Sequence, residues 1–143
     1  MTNLQIEMVK GSWSSVAALD PILVGDIFYK QLFQLCPEVK PMFRHNLTEQ
    51  SKKLLYMLSY IVNKLNRIVD ILHEVKNLAR RHVKYGVKRY HYDAVGAALL
   101  FTLERGLDKY WTKDLAEAWT ACYTLLSSVM IDASVYSEEN VLS

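Results

Sequence analysis

The chain has 143 residues, which suits one domain with one core, and its 51% hydrophobic content is too high for a disordered chain. Five glycines and three prolines supply little of the turn chemistry that an all-β fold with many hairpins requires. The formal net charge of +2 is near balance, so the composition predicts no nucleic-acid partner.

The first half of the chain predicts two helices and a short corner. An amphipathic helix over residues 4–16 is broken at Asp20-Pro21, and Pro21 suits the first turn of a second helix. That second helix ends near Cys36, and a further turn of helix is expected over residues 37–43.

The middle of the chain carries two apolar stripes at helical spacing. A loop is expected over residues 44–47, and Thr48 and Ser51 are candidate caps for the helix that follows. A spacing of 4, 3 and 4 indicates that this third helix has one buried face, consisting of Leu54, Leu58, Ile61 and Leu65. A second stripe ends near Gly86, a typical C-terminal glycine cap, and consists of Ile71, Val75, Leu78 and His82.

Two more helices complete the pattern. Asp93 is a candidate cap for a helix over residues 95–107, and Trp111-Thr112 opens the last helix. The tail beyond Ser134 is polar and is expected to fray. Five long helices with short ones between them predict an all-α fold, with residues 1–143 forming one domain.

The cysteines and the N-terminal segment indicate in which cellular compartment the protein is expected. Cys36 and Cys122 lie far apart without CxxC spacing, so they predict neither a thiolate zinc site nor a redox dithiol. Buried thiols in a reducing compartment and a single disulfide both stay open. No signal peptide is visible, and no apolar run could cross a bilayer. We therefore expect a cytoplasmic protein without a membrane partner.

His82 is the most informative residue, because it is the one histidine of four that continues an apolar stripe. His73 shares a polar face, His45 lies in a predicted loop, and His91 lies next to a predicted helix start. Two interpretations of His82 stay open, a core histidine and an iron ligand. As an iron ligand, it would bind metal through one ring nitrogen while the other donates to the Leu78 carbonyl one turn back.

Three other features also have two interpretations each. Gln50 shares a face with Leu54, so it is either a half-solvated glutamine at a helix entry or a polar group inside a site. Tyr29 is either a core tyrosine or a hydrogen-bond donor in a site. A group of basic residues forms a solvated face, of which a minority could neutralise carboxylates of a bound ligand: Lys52, Lys53, Arg80, Arg81, Lys84, Lys88 and Arg89.

Several segments together resemble single-domain bacterial globins and the globin domain of flavohaemoglobins. Their order and separation span essentially the whole chain, whereas each segment by itself is a weak signal. The segments are residues 28–33, 37–43, 79–87 and 91–96, followed by Leu99-Leu100, Ala118-Trp119 and Tyr123.

The resemblance implies a globin fold around one haem b (iron protoporphyrin IX), with His82 as the iron ligand and no catalytic residue assigned. Phe43 is expected to stack on the porphyrin. Tyr29, Gln50 and Leu54 are expected to line the distal pocket, and Lys53 and Arg81 to approach the propionates. The full set of implied cofactor-contacting residues is Phe28, Tyr29, Phe43, Gln50, Lys53, Leu54, Leu78, Arg81, Tyr85, Val87, Tyr92 and Val95.

One position departs from the flavohaemoglobin-like pattern. In those proteins the tyrosine matching Tyr92 pairs with a glutamate, and together they polarise the proximal histidine. Here Ser134 stands at the glutamate position, with Asp132 close by. Because the matching glutamate is missing at this position, the resemblance does not imply that a hydrogen-bonded carboxylate makes the histidine donate more electron density to iron.

The leading hypothesis for function is a reversible O₂-binding haemoprotein that also takes NO and CO. Tyr29 and Gln50 are two donors for the gas, which predicts tight O₂ binding with slow release. The alternatives are an NO dioxygenase, a haem-based gas sensor and a haem-free helical module. No flavin or nicotinamide domain is visible in the sequence, so a separate reductase is the expected partner of the dioxygenase.

Overall fold

The computed structural model describes the backbone of residues 1–43 and 46–142, and side chains within those ranges up to residue 134. His45, the loop histidine of the sequence analysis, lies outside the described residues. The described ranges form helices without any strand, as predicted. The α-helices are α1 Asn3–Ala17, α2 Pro21–Leu35, α3 Leu47–Asn63, α4 Leu72–Lys84, α5 His91–Leu107 and α6 Lys113–Leu142. Three 3₁₀ helices connect them: Pro37–Met42 (the corner helix), Leu65–Ile71 and Asp108–Tyr110.

The helix starts follow from side-chain caps, one of which the sequence analysis placed wrongly. Asp20 caps α2 ahead of Pro21 by accepting from the Ile22 backbone N–H, as the break at Asp20-Pro21 suggested. The cap of α3 is Asn46, whose side chain accepts from the Thr48 N–H at 2.8 Å, so neither Thr48 nor Ser51 is the cap. Asn46 takes this position because its short amide reaches the free N–H groups of the first turn.

The last two long helices differ from expectation at their ends. Asp93 is not the cap of α5, because the helix already begins at His91 and leaves the Asp93 carboxylate exposed in its first turn. Thr112 does cap α6, by accepting from the Leu115 N–H at 3.1 Å. The backbone of α6 continues beyond Ser134 to Leu142, where fraying was expected.

The packing of the helices places α3 mainly on α2 and α4 mainly on α6. α2 packs on α3 and α5, α1 packs on α6, and α4 packs mainly on α6. Trp13 and Trp119 meet edge to face at the centre, with ring centroids 6.0 Å apart. Their indole N–H groups donate to Ser59 and Ser12, so neither buried indole is left unpaired.

Both cysteines are buried and free, which confirms the interpretation as buried thiols and excludes a disulfide between them. Burial raises the pKa of the Cys122 thiol to about 12, because the thiolate would lose its hydration. Among the described residues, no helix combines the length and apolar character that crossing a bilayer requires.

The crossing of α2 over α3 depends on Gly25. A methyl group there would overlap the Ser51 side chain, which is 2% exposed and donates to the Leu47 carbonyl. We expect Gly25→Ala to lower the free energy of unfolding by about 1–3 kcal/mol in urea titrations, the usual cost of overpacking.

Gly11 provides the matched control for this prediction, since it is also a mid-helix glycine but has no atom within 4 Å of an added methyl. Gly11→Ala should raise the free energy of unfolding by about 0.5–1 kcal/mol through helix propensity. If both substitutions shifted stability in the same direction, the close α2–α3 contact would not be present.

Candidate functional site

Next to their buried residues, α3 and α4 carry half-buried apolar side chains that pack against the core. On α3 the most buried residues are Ser51, Leu55, Ile61 and Val62, whereas Leu54 and Leu58 are only half-buried. Of the predicted stripe, Ile61 and Leu65 are buried as expected, whereas near the start of the helix the buried residues are Ser51 and Leu55 instead of Leu54 and Leu58. The reason is that the Ser51 side chain packs into the space opposite Gly25, which points Leu55 inward.

The same division holds on α4. Val75 and Ala79 enter the core, while Leu78 and His82 are half-buried. Leu78 and His82 are four residues apart and so share one side of the helix. The predicted stripe therefore combines a core row with a second row that remains partly accessible, and His82 belongs to that second row.

The imidazole of His82 is fixed by its own helix. Nδ1 lies 2.8 Å from the Leu78 carbonyl oxygen, as predicted, and must donate because a carbonyl can only accept. Burial lowers the pKa of His82, and the charge of Arg81 lowers it further against the opposing effect of the Leu78 hydrogen bond. The neutral ring therefore carries its proton on Nδ1 and a free lone pair on Nε2, which is the tautomer that binds metals through Nε2.

The end of α4 holds the backbone of His82 as well. The His82 carbonyl accepts from the N–H groups of Tyr85 at 3.1 Å and Val87 at 3.0 Å. Gly86 adopts a φ of 90° and donates to the Val83 carbonyl, which completes a Schellman cap and confirms the predicted glycine cap. The ring of Tyr85 lies 6.4 Å from that of His82 between centroids, and Val87 is half-buried beside the core.

Tyr29 lies in an aromatic cluster that joins α2 to the corner helix. Its ring is 5.0 Å from Phe28, 6.0 Å from Phe33 and 5.2 Å from Phe43, between centroids. Only 3% of Tyr29 is exposed, and burial raises the pKa of its hydroxyl to about 12, while a hydrogen bond with Gln50 acts in the opposite direction. The structure thus brings Tyr29 and Gln50 together, with the hydroxyl protonated at neutral pH and able to donate.

A small cavity reaches Tyr29 from the crossing of α2 and α3. Its volume is about 80 Å³, and its lining consists of Ile22, Asp26, Tyr29, Leu47, Thr48 and Ser51. The cavity lies next to the contact between Gly25 and Ser51, which limits how closely the two helices approach. It leaves space beside the buried phenol on the scale of a small molecule.

The predicted residues on α5 lie on the inner side of the fold. Tyr92 is 7% exposed, and its hydroxyl is buried without a hydrogen-bond partner among the residues whose side chains are described. Ser134 is close enough to lower the pKa of Tyr92, which burial raises, but its own hydroxyl donates to the Met130 carbonyl at 2.7 Å. Asp132 is exposed and therefore does not substitute for the glutamate of the flavohaemoglobin-like pattern. Val95 is half-buried against the core.

The two cations assigned to propionates, Lys53 on α3 and Arg81 on α4, are both exposed. Lys53 is the neighbour of Leu54 in sequence, and Arg81 is the neighbour of His82. Each cation is therefore adjacent to the half-buried row of its helix. His73, in contrast, lies within 3.3 Å of Asn77 on the exposed side of α4, as its polar face predicted.

Comparison with known proteins decides the family. The globin family model matches residues 26–130 of the chain. The chain belongs to the globin family. The residues matched include α3, α4 and α5, and with them both faces of the site described above.

The relatives of this globin include flavohaemoproteins and neuroglobins. A flavohemoprotein of Vibrio cholerae is 29% identical over 92% of the chain, which spans 34% of that relative's length. The chain therefore matches about a third of the flavohaemoprotein. A neuroglobin of Tetraodon nigroviridis is 26% identical over 87% of the chain and 86% of its own length.

Two solved structures share the fold. A bacterial globin from Campylobacter jejuni superimposes with a TM-score of 0.82 at 26% identity, covering 96% of this chain and 99% of that one. An engineered carbene transferase, derived from a putative nitric oxide dioxygenase of Rhodothermus marinus, gives a TM-score of 0.89 at 17% identity. It covers 100% of this chain and 99% of that one, and it supports the fold alone.

The residues present in this globin fit the haem that the family binds. One neutral imidazole, His82, has a free Nε2 lone pair, and half-buried apolar side chains lie on α3 and, one turn before His82, at Leu78 on α4. A buried phenol, Tyr29, is protonated at neutral pH and can donate a hydrogen bond. A flat, largely apolar group with two carboxylates would cover such a surface and place its acidic edge near exposed cations.

Sequence reasoning missed a polar network between the corner helix and α5. His91 is 3% exposed, and its Nδ1 accepts from the Lys88 backbone N–H at 2.8 Å. Its Nε2 therefore carries the proton, and it donates to Glu38 at 3.2 Å, while the Cys36 thiol donates to the same carboxylate oxygen at 3.3 Å. These three side chains have ligand atoms within 4.8 Å of one another, but both donors already point their protons at Glu38. The network joins the corner helix, next to Phe43, to the first turn of α5, next to Tyr92.

The raised pKa of Tyr29 makes the stability of this globin sensitive to alkaline pH. The phenol of the unfolded chain ionises near pH 10, whereas the buried phenol of the folded chain ionises near 12. Between these values the folded state binds more protons, so the free energy of unfolding falls as pH rises, by on the order of 2 kcal/mol. We expect urea titrations at pH 9 to 12 to show this loss.

Tyr29→Phe should reduce this pH dependence, since phenylalanine has no proton to lose, and should leave the part that comes from other buried groups such as Cys122. The matched control is Tyr56→Phe on α3, where the ring is 74% exposed. It should leave the wild-type slope unchanged. An equal slope in the wild type and Tyr29→Phe would show that the Tyr29 hydroxyl is not buried in solution.

Proposed function

We propose that this globin holds one haem b on His82 and reversibly binds O₂ and, at the same position, NO or CO. The observation that carries the proposal is the 2.8 Å hydrogen bond from His82 Nδ1 to the Leu78 carbonyl, which leaves Nε2 as a free metal-binding nitrogen. Haem with one axial imidazole supplies an iron with an open sixth position for a diatomic gas. We also propose that residues 1–143 form one globin domain, which is longer than the segment 26–130 that the family model matches.

The chain's own residues give the site its selectivity. His82 is held by one side-chain and two backbone hydrogen bonds, so its ring is oriented before the cofactor binds. Tyr29 supplies an O–H in a buried environment, where a hydrogen bond to the gas is stronger than in water, and the half-buried Gln50 supplies an amide N–H. Both donors favour bound O₂, which is a strong hydrogen-bond acceptor, over CO, which stays nearly neutral. They also slow the release of O₂.

The other assigned residues support the cofactor. Phe43 packs on Tyr29 and would stack on the porphyrin, with Phe28, Leu54, Leu78, Val87 and Val95 as the apolar surroundings. Lys53 and Arg81 would neutralise the propionates from the exposed edge. Tyr85 and Tyr92 would contact the ring or the proximal histidine.

NO dioxygenase activity is the second candidate. The Tyr29–Gln50 pair favours it, as does the similarity to flavohaemoproteins and to the fold of a putative nitric oxide dioxygenase. The proximal side argues against it, because Tyr92 meets Ser134 rather than a carboxylate and Asp132 is exposed. Without a carboxylate acceptor among the side chains that the structure describes, the tyrosine contributes little electron density to the imidazole, so reversible binding is the better-supported function.

The experiment cycles the ferrous, haem-loaded protein between O₂ and argon, and then adds NO to the O₂-bound form. Reversible binding predicts at least several cycles with a restored gas-free spectrum, and a single turnover to nitrate with NO. Sustained NO consumption with an added reductase and NADH would instead establish the dioxygenase. A protein that never takes up haem would exclude both functions.

A further inference from the structure

The charge of this globin is distributed unevenly around His82. Residues 75–92 carry six basic residues and no acidic one, which leaves eleven basic and fifteen acidic residues, a net charge of −4, on the rest of the chain. We call these six side chains the basic patch: Lys76, Arg80, Arg81, Lys84, Lys88 and Arg89. All six are exposed.

Ion pairs do not neutralise the basic patch in the described part of the chain. The carboxylates in contact with cations there pair with Lys52, Arg67 and His91, none of which belongs to the patch. Arg80 donates to the neutral amide of Asn77 at 2.7 Å. Arg81 is assigned to a haem propionate, and the other five cations keep the patch positive. Such a concentration of positive charge attracts a negatively charged surface and accelerates its encounter with the protein.

Exposed aromatic rings lie within the same segment. Tyr85 is 62% exposed and Tyr90 is 58% exposed, and both alternate with patch cations in the sequence. Tyrosine and arginine are residue types that contribute most to protein interfaces, since they combine large contact area with hydrogen bonding. The segment therefore offers both long-range attraction and contact area.

The patch also adjoins the proposed iron ligand. The exposed ring of Tyr85 lies 6.4 Å from the ring of His82 between centroids, and Arg81 is close enough to lower the pKa of His82. A protein seated on Tyr85 would be separated from His82 by one aromatic side chain. This position suits a partner protein that would exchange electrons with an iron bound to His82.

We propose that the basic patch, with Tyr85 and Tyr90, is the docking face for an acidic one-electron donor protein, an inference that rests on the proposed haem function. The donor would give one electron to the ferric iron of the haem that His82 would hold, which would reduce that iron to the ferrous state, and no atom would be transferred. Charge complementarity selects an acidic face, and the proximity to His82 makes an electron donor the fitting class of partner.

The test uses an acidic flavodoxin as the probe and the triple variant Lys84→Glu, Lys88→Glu, Arg89→Glu. The matched control is Lys64→Glu, Lys109→Glu, Lys113→Glu, which makes the same change in net charge at exposed positions outside the patch. Binding of the oxidised probe is measured by titration calorimetry at several NaCl concentrations. Reduction of the ferric protein by the reduced probe is measured by stopped flow.

We expect the patch variant to weaken probe binding and slow reduction by roughly tenfold or more, and the control to change both much less. Both effects should shrink as NaCl rises. Equal binding and equal reduction in the two variants would overturn the docking face. Tight, salt-dependent binding of a 20-base-pair DNA duplex that the patch variant alone loses, with flavodoxin binding unchanged, would overturn it in favour of a nucleic-acid surface.

Haem content and the CO spectrum of each variant are recorded first. A protein without haem would contradict the proposed function, whereas haem-loaded variants with equal probe affinities would contradict the docking face alone.

Discussion

Replacing His82 with alanine should abolish stoichiometric haem binding. The described structure contains one imidazole on the half-buried row of α4, and its Nδ1 hydrogen bond to Leu78 prepares Nε2 for a metal. Loss of a hydrogen-bond partner outside the ligand set of a metal site costs roughly 10- to 100-fold in affinity, and loss of the ligand itself should exceed that. The measurement is a haem titration followed at the Soret band.

His73→Ala is the matched control, because His73 lies on the exposed side of the same helix and contacts only Asn77 in the hydrogen bonds described. It should retain one haem per chain with an unchanged Soret band. A second variant, His82→Gly, leaves space for free imidazole, which should restore much of the lost haem binding. If His82→Ala retained haem with an unaltered spectrum, the axial assignment would be wrong.

Tyr29→Phe should raise the O₂ dissociation rate by roughly ten- to a hundred-fold. The O₂ ligand withdraws electron density from iron and becomes a strong acceptor, and a hydrogen bond to a charged acceptor contributes about 1.5–3 kcal/mol. At about 1.4 kcal/mol per decade, that range gives the stated factor. CO stays nearly neutral, so its dissociation rate should change much less. Stopped-flow displacement of O₂ by CO measures the first rate.

Gln50→Leu should act in the same direction but less, because a flexible amide loses more rotamer entropy when it is fixed. Tyr56→Phe, an exposed tyrosine on α3, is the matched control and should leave both rates unchanged. Equal small changes for O₂ and CO in Tyr29→Phe would mean that the hydroxyl points away from the gas. A double variant with much less effect than the sum of the singles would show that each donor can replace the other.

The features that sequence predicts well are those that depend on residues one turn apart. The helical stripes, the glycine cap at Gly86 and the Leu78–His82 hydrogen bond all follow from local spacing. Local spacing does not predict which face of α3 is buried near its start, because adjacent apolar residues such as Leu54 and Leu55 allow two buried faces. The choice between them depends on Gly25, which lies on another helix.

His91 shows the same limit for polar residues. Its neighbours in sequence suggest a helix start and nothing more, yet its side chain is buried because Glu38 lies opposite it, 53 residues away in the chain. The hydroxyl of Tyr92, which lacks a hydrogen-bond partner among the described side chains, is equally invisible to periodicity, since it depends on where Ser134 directs its own hydrogen bond. Contacts of this kind require the assembled helices.

Resonance Raman spectroscopy of the ferrous, gas-free protein, with natural and ¹⁵N-labelled histidine, tests the central claim most directly. We predict five-coordinate iron with an iron–histidine stretching band that shifts on labelling, and conversion to a six-coordinate form when CO is added. In His82→Gly with imidazole, that band should respond to the isotope of the added imidazole instead. A six-coordinate, low-spin ferrous iron before any gas is added would contradict an open gas site and point to a second histidine such as His45.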